Sequence, residues 1–266
     1  MTVQTGKTTK LPGTRPAGTR TEREASARVR EMFSRIAPRY DFLNHALSFS
    51  LDKAWRRRTA RKFRRILRRT DARVLDLCCG TGDLTFALER VRVQEIRDRG
   101  AHRFPLIGSD FAQPMLERAR RKGAAHARST VFTAADALHL PFADNSFDLI
   151  TSAFGFRNLV NYEGGLREIA RVLKPGGEVG ILEFSEPGAG AMAGLFRFYF
   201  RRVLPHVGKA ISGNKEAYAY LPGSVASFPA PTEITALLRR VGFTAVRTFS
   251  WNFRSVVLHI AKLPQV

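Results

Sequence analysis

An acid stands four residues ahead of a glycine pair: Asp76 in Val74-Leu75-Asp76-Leu77-Cys78-Cys79-Gly80-Thr81-Gly82-Asp83-Leu84. The run starts as an apolar strand, bends at the glycines and continues as a helix. Glycine takes positive φ and lets a ligand come close to the backbone. Ligands of open α/β sheets lie beyond the carboxyl ends of the strands, so Gly80, Thr81 and Gly82 mark a small-molecule site. A dinucleotide-binding turn begins the same way, and so does a strand-turn-helix that holds nothing. Two details favour another cofactor. Thr85 occupies the place of the third glycine in G-x-G-x-x-G, and an Asp76 carboxylate attracts an ammonium but repels a pyrophosphate. S-adenosylmethionine (SAM) carries that ammonium on its methionine part.

Asp110 ends the next apolar run, Pro105-Leu106-Ile107-Gly108-Ser109. A carboxylate there can accept from both ribose hydroxyls, although an acid before a helix through Met115 also serves as an N-cap. Asp136 follows the third strand candidate and suits an adenine amino group or, again, an N-cap. The six histidines are scattered, and His45, His139 and His206 have no partner at metal-ligand spacing, so no metal is expected.

These residues must be positioned by an α/β frame. Strand patterns fall at 73–77, 104–109, 130–134, 147–151, 178–184, 245–249 and 256–263. The first five alternate with helices, as in a doubly wound, mostly parallel sheet of seven strands; the last two make an edge hairpin. The chain divides into a disordered basic tail (1–21), an N-terminal helical lid (22–70), a cofactor-binding core (71–184), a helical insertion over the substrate (185–230) and a C-terminal helix with the hairpin (231–266). Within the lid, a helix from Thr21 presents Val29, Met32, Phe33 and Ile36 and stops at Pro38; a second runs from 50 to 69.

With 266 residues, 44% hydrophobic and 25% charged, the chain has material for one large core. The formal charge is +21, and residues 1–70 hold 19 basic against 5 acidic residues. Ten Lys and Arg, and no acid, lie between Lys53 and Arg69. In 191–204, Met192, Leu195, Phe196, Tyr199 and Val203 share one helical face. No run reaches the roughly 20 apolar residues of a bilayer-crossing helix, and no secretory leader is visible. Cys78 and Cys79 are adjacent and suit neither an ordinary disulfide nor a zinc site, which fits a reducing cytoplasm.

Further segments make the chain similar to a known family, the ubiquinone/menaquinone-biosynthesis C-methyltransferases of the class I SAM-dependent, Rossmann-like fold. They are Met32-Phe33-Ser34-Arg35-Ile36-Ala37-Pro38-Arg39-Tyr40-Asp41-Phe42-Leu43-Asn44, Leu47-Ser48-Phe49 with Trp55-Arg56, Leu140-Pro141-Phe142 before Asp144-Asn145-Ser146-Phe147-Asp148, Phe154-Gly155-Phe156-Arg157-Asn158, Arg171-Val172-Leu173-Lys174-Pro175-Gly176-Gly177, Leu182-Glu183-Phe184-Ser185 and Tyr218-Ala219-Tyr220-Leu221. The Tyr-Asp-x-x-Asn and Phe-Gly-x-Arg-Asn segments are the specific ones. The resemblance places SAM contacts on Thr81, Asp110 and the pair Asp136-Ala137. Ala153 stands where many members have a serine, so that hydroxyl is lost or supplied by Ser152. Cys79 replaces a frequent glycine, so the backbone there should tolerate a Cβ.

The implied reaction moves a methyl group from SAM to a ring carbon of a prenylated quinol dissolved in the membrane. Arg157 and Asn158, after the fourth strand, are the candidates for stabilising the phenolate, with Arg157 acting by its charge or through a water that takes the proton. Tyr40 and Asp41, and then Asn44, reach over from the lid. The segment from Asn214 to Pro222 favours demethylmenaquinol, the last intermediate before menaquinol; an enzyme that also methylates the benzoquinol precursor of ubiquinone stays open. From another class, the charge admits an RNA methyltransferase or a basic nucleic-acid-binding protein. Against it, Thr151-Ser152-Ala153-Phe154 lacks the Asp/Asn-Pro-Pro-aromatic segment of base amino-methylation, so no nucleic-acid partner is expected. The basic helix and the 191–204 helix imply contact with an anionic membrane surface, on the inner face of the cell membrane. A homodimer is compatible with the sequence.

Overall fold

A computed structural model describes residues 13–41, 48, 50–96, 101–124, 130–185, 194 and 223–265. Apart from Gly194, the expected helix at 191–204 lies outside the described residues, as do the Tyr218 to Leu221 segment, Asn44 and most of the 185–230 insertion.

The sheet contains β1 (Val74–Leu77), β2 (Leu106–Asp110), β3 (Thr130–Ala134), β4 (Phe147–Ala153), β5 (Leu173–Phe184), β6 (Thr244–Trp251) and β7 (Val256–Lys262). Their order is β3-β2-β1-β4-β5-β7-β6. The first five are parallel; β7 enters antiparallel to β5, and β6 closes the edge against β7. Strand order reverses between β1 and β4, and a crevice for a ligand opens at the carboxyl ends of such a pair.

The helices packed around it include α1 (Glu22–Ile36), α2 (Leu51–Lys62), α3 (Arg64–Leu67), α4 (Asp83–Glu95), α5 (Gln113–Ala124), α6 (Tyr162–Val172) and α7 (Pro231–Arg240). Thr21 caps α1 by accepting from the Glu24 amide, and Asn161 caps α6 by accepting from Gly164. On one face of the sheet, Leu166 and Ile169 of α6 and Ile234, Leu237 and Leu238 of α7 bury themselves against β4, β5 and β7. On the other, Trp55, Phe63 and Leu67 join Leu84 and Leu88 of α4 over Val74, Leu149, Leu182 and Leu258.

Two features differ from the sequence expectation. The helix expected over 50–69 breaks at Phe63, and its apolar side belongs to the core. It is therefore a layer of the fold and not a lid. The expected tail 1–21 is ordered from Gly13 onward: Thr14 is buried, its amide donates to the Leu159 carbonyl at 2.8 Å, and Arg15 donates to the Val160 carbonyl at 2.8 Å. Thr and Arg offer little apolar surface, so the composition hides this docking; backbone hydrogen bonds supply it instead.

Phe63, at the break between α2 and α3, fits tightly against β5. A Cβ built on Gly180 would lie 2.4 Å from the Phe63 ring. Gly180→Ala should therefore cost about 1–3 kcal/mol of stability by overpacking, and adding Phe63→Leu should return part of it. Urea unfolding of the three chains checks this, and an unchanged midpoint for Gly180→Ala would refute it.

Candidate active site

The turn after β1 has three residues with left-handed φ: Cys78 (+54°), Gly80 (+55°) and Gly82 (+86°). Cys79 is not among them, so a Cβ is tolerated there as expected. The Gly80 amide donates to Asp110 Oδ2 at 2.9 Å, and Cys79 donates to the Ser109 carbonyl at 2.9 Å, which fastens the turn to the end of β2. Asp110 Oδ1 accepts from Ala112 at 2.9 Å. Each carboxylate oxygen has two lone pairs, so Asp110 keeps acceptor capacity after both amides are served.

Asp76 is wholly buried. Thr85 of α4 donates to it at 2.6 Å and Thr151 of β4 at 2.9 Å. The threonine in the third glycine's place thus supports the acid. Burial pushes the Asp76 carboxyl up to about 7 and Asp110 up to about 6, against the pull of these hydrogen bonds.

Two clefts meet at Gly80. The larger, of about 650 Å³, runs under α1 between Gly80, Asp110, Asp136, Ala137 and Asn158, with apolar walls from Phe33, Met115, Leu138 and Phe154. The smaller, of about 300 Å³, is bounded by Asp76, Thr81, Asp83, Ala153 and Arg56. Tyr40 lines both, and a Cβ built on Gly80 would lie 3.7 Å from its ring. Asp136 lines the larger cleft, and its Oδ1 accepts from the Leu138 amide at 2.9 Å.

Several expected site residues sit elsewhere. Gly82 lines neither cleft; a Cβ there would meet Phe86 at 2.9 Å, so that glycine serves the packing of α4 against Phe132. Asp41 accepts from the Thr81 hydroxyl and from Lys122 at 3.1 Å, while Lys122 also donates to Asp83 at 2.7 Å and to Thr81 at 3.1 Å. Asp41 therefore ties the segment after α1 to the glycine turn and lines neither cleft. Arg157 is buried behind the wall: it donates from its amide and Nη1 to Glu183 at 3.0 and 2.9 Å and from Nε to Ser224 at 3.4 Å. With its charge matched by Glu183, it is a positioning residue and not an open cation facing a phenolate. Removing it would leave a buried carboxylate unpaired, at about 3–5 kcal/mol. Asn158, one residue on, does reach the cleft. Ser152 Oγ is buried without a partner among the described residues and lies beside Gly155 of the cleft wall.

Sequence reasoning passed over Lys122 and gave no role in the site to Glu183 or Arg56, although both lie in segments it quoted. Lys122 and Glu183 gain their meaning from partners distant in sequence, and Arg56 from Asp52 one turn away together with the distant Asp83. Burial lifts both Cys78 and Cys79 thiols well above their ordinary range, so neither is an activated nucleophile.

The donor set fits SAM. Two buried carboxylates raised by burial await a cation and hydroxyl donors, Gly80 presents bare backbone, and the cleft adjoins an apolar chamber. Of the residues expected to hold it, Asp110, Asp136 and Ala137 line the larger cleft and Asp76 the smaller.

The comparisons with known proteins agree. The model of the ubiE/COQ5 methyltransferase family matches residues 21–262. The demethylmenaquinone methyltransferase of Thermus thermophilus is 47% identical over 233 residues, 88% of this chain and 100% of that protein. The ubiquinone/menaquinone biosynthesis C-methyltransferase UbiE of Geotalea daltonii is 43% identical over 222 residues, 83% of this chain and 89% of that one. Among solved structures, a SAM-dependent methyltransferase of Thermotoga maritima, a possible histamine N-methyltransferase, superposes with a TM-score of 0.58 at 19% identity, covering 88% of this chain and 99% of that one; it shows the fold alone.

The raised acids set a pH dependence. A folded pKa above the unfolded 3.8 means that protonated Asp76 stabilises the fold fully below that value, and this contribution is lost as pH rises through about 7. A ligand that needs the ionised acids has the opposite preference. SAM affinity, measured by calorimetry, should fall between about pH 8 and pH 5.5, by up to about tenfold per pH unit for each proton taken up. Asp110→Asn should weaken binding throughout and remove the step near 6. Affinity independent of pH would refute this assignment.

Proposed function

The chain belongs to the ubiE/COQ5 methyltransferase family, and from that premise we propose that it is a SAM-dependent C-methyltransferase converting demethylmenaquinol to menaquinol. The observation that carries this is continuity: one cleft holds both the Asp110–Gly80 edge suited to an adenosyl group and apolar walls suited to a quinol ring. The demethylmenaquinone methyltransferase name of the Thermus thermophilus relative, which is matched over its whole length, supports that substrate.

Bound SAM supplies a methyl group on a positively charged sulfur. A quinol that gave up a hydroxyl proton to water would gather electron density on the neighbouring ring carbon; that carbon would take the methyl group in line as the sulfur–methyl bond breaks, the pair staying on sulfur as a neutral thioether, and loss of the ring-carbon proton to water would restore the aromatic quinol. The protein orients the ring and keeps out water. Asn158 stands at the cleft wall, next to where the ring oxygen would lie, with its Nδ2 donating to the Phe154 carbonyl at 3.4 Å. Arg157 and Glu183 hold the loop that carries Asn158, since both the backbone amide and the guanidinium of Arg157 are bound by one carboxylate. Tyr40 shields the junction of the two clefts from above.

The substrate's tail lies in a bilayer, and the surface suits that meeting place. Lys53, Arg57, Arg58, Arg61, Lys62, Arg64, Arg65, Arg68 and Arg69 are all exposed on α2, α3 and the turn after them. Arg56, counted with them from sequence, is instead buried. Beside this face, Phe253 is 58% exposed on the β6–β7 turn, and Asn252 of that turn accepts from Trp55 of α2 at 2.7 Å. A basic face with an apolar tip fits an anionic membrane surface, at about 1 kcal/mol per well-placed charge; the inner face of the cell membrane supplies one. Among the described residues no helix is long and apolar enough to cross a membrane.

Purified protein given SAM and demethylmenaquinol in detergent should yield menaquinol by mass spectrometry, with total RNA left unmethylated. Asn158→Ala should lower kcat about ten- to a hundredfold with SAM affinity kept. Absence of any methylated quinol from a protein that binds SAM would overturn the proposal. On vesicles, sedimentation with anionic lipid should fall with added salt and with Arg57, Arg58 and Arg61 changed to Gln; equal sedimentation with neutral lipid would refute the membrane contact.

A further inference from the structure

Arg56 is a buried cation with donors to spare. Its side chain is 7% exposed, and its charge is met by Asp52 one turn earlier on α2 and, at 4.0 Å, by Asp83 at the start of α4. Both contacts are made by Nη1 alone. Nε and Nη2 find no acceptor among the described residues, although a guanidinium carries five N–H donors in a planar fork. The guanidinium sits 5.3 Å from the Phe154 ring, which covers a face without supplying an acceptor.

The fork lines the smaller cleft, opposite Asp76 and beside Gly80 and Thr81. Unused donors on a buried charge are costly unless a ligand takes them. The ligand must bring a carboxylate-like group to Arg56 and a cation to Asp76, in one small space. A free α-amino acid end has that pair of charges. Asp83 does not compete for the open edge, because Lys122 holds it at 2.7 Å from the other side.

We propose that Arg56 binds the α-carboxylate of the methionine part of SAM, while Asp76 faces its ammonium. This deepens the cofactor assignment above and rests on it. Arg56 then discriminates among adenosyl sulfonium compounds by the amino-acid end, independently of the adenosine contacts at Asp110 and Asp136. It also explains why one arginine of a run of solvated cations is turned inward: α2 delivers it across the core layer to the carboxyl edge of β1.

Decarboxylated SAM, which keeps the sulfonium, amine and adenosine but lacks the carboxylate, tests this by calorimetry with no chemistry required. The wild-type chain should bind SAM about ten- to a hundredfold more tightly than the decarboxylated compound. Arg56→Met should lose SAM affinity and bring the ratio within about threefold, and Arg56→Lys should restore part of the ratio. The wild-type comparison stands even if a variant fails to fold. Equal affinity of the wild type for both compounds overturns the inference and leaves the cofactor assignment intact, as does a ratio unchanged in a folded Arg56→Met chain. A wild type that binds neither compound overturns the cofactor assignment and this inference with it.

Discussion

A carboxylate held in the apolar interior by neutral donors alone is the constraint from which the site follows. Asp76 receives hydroxyls from α4 and β4, so two adjacent strands and one helix converge on one group whose ionised form is poorly solvated. Asp110 repeats the arrangement with backbone amides at the next strand. Neither is placed for the stability of the empty fold, because burying a charge without a counter-ion raises its energy. Such groups persist where a ligand brings the missing positive charge or hydroxyl donors. The glycine turn is the mechanical part of the same device, and the Gly80–Asp110 hydrogen bond ensures that turn and acid move as one.

Much of this was legible in the sequence because it rests on short-range chemistry. Alternating apolar runs and helices foretell parallel strands, and the seven expected segments all reappear as strands, with ends displaced by a few residues. Asp76, Gly80, Asp110 and Asp136 are recognisable because a strand's end and the following turn place them together whatever the rest of the chain does. The 50–69 helix shows where this stops. Its basic pattern reads as a solvated face, and the pattern is right for nine cations and wrong for Arg56, whose inward direction depends on Asp83 of another helix. The second helix of the expected lid went astray for the same reason: Trp55, Phe63 and Leu67 share a stripe whose destination only the sheet can reveal, whereas α1 does lie over the larger cleft through Ser26 and Phe33.

Arg157 and Asp41 teach the complementary lesson. Both sit in specific segments, both are polar, and both are drawn from sequence as groups that touch substrate. The structure gives each a partner that uses up its charge: Glu183 at the end of β5, and Lys122 with Thr81. A motif identifies residues that a site needs, without separating those that meet the ligand from those that hold the ones that do. The discriminating information is a distance between residues 26 or more positions apart, which spacing along the chain does not contain.

The Lys122 network also changes what the N-terminal segment is. One ammonium bridges Asp41 beyond α1, Thr81 in the glycine turn and Asp83 at the head of α4. A cover attached only by apolar contacts through Phe33 and Tyr40 would slide freely over the cleft; attached to the turn itself, it registers Tyr40 against Gly80. The same turn faces the cofactor. Cover, turn and cofactor edge are thus coupled through three short polar contacts, each too modest alone to fix a helix, and together sufficient because they share one cation. Geometry at the cleft junction is accordingly set by electrostatics, whereas the sheet beneath it is set by apolar packing. This division lets the walls around a quinol vary without disturbing the end that grips the methyl donor.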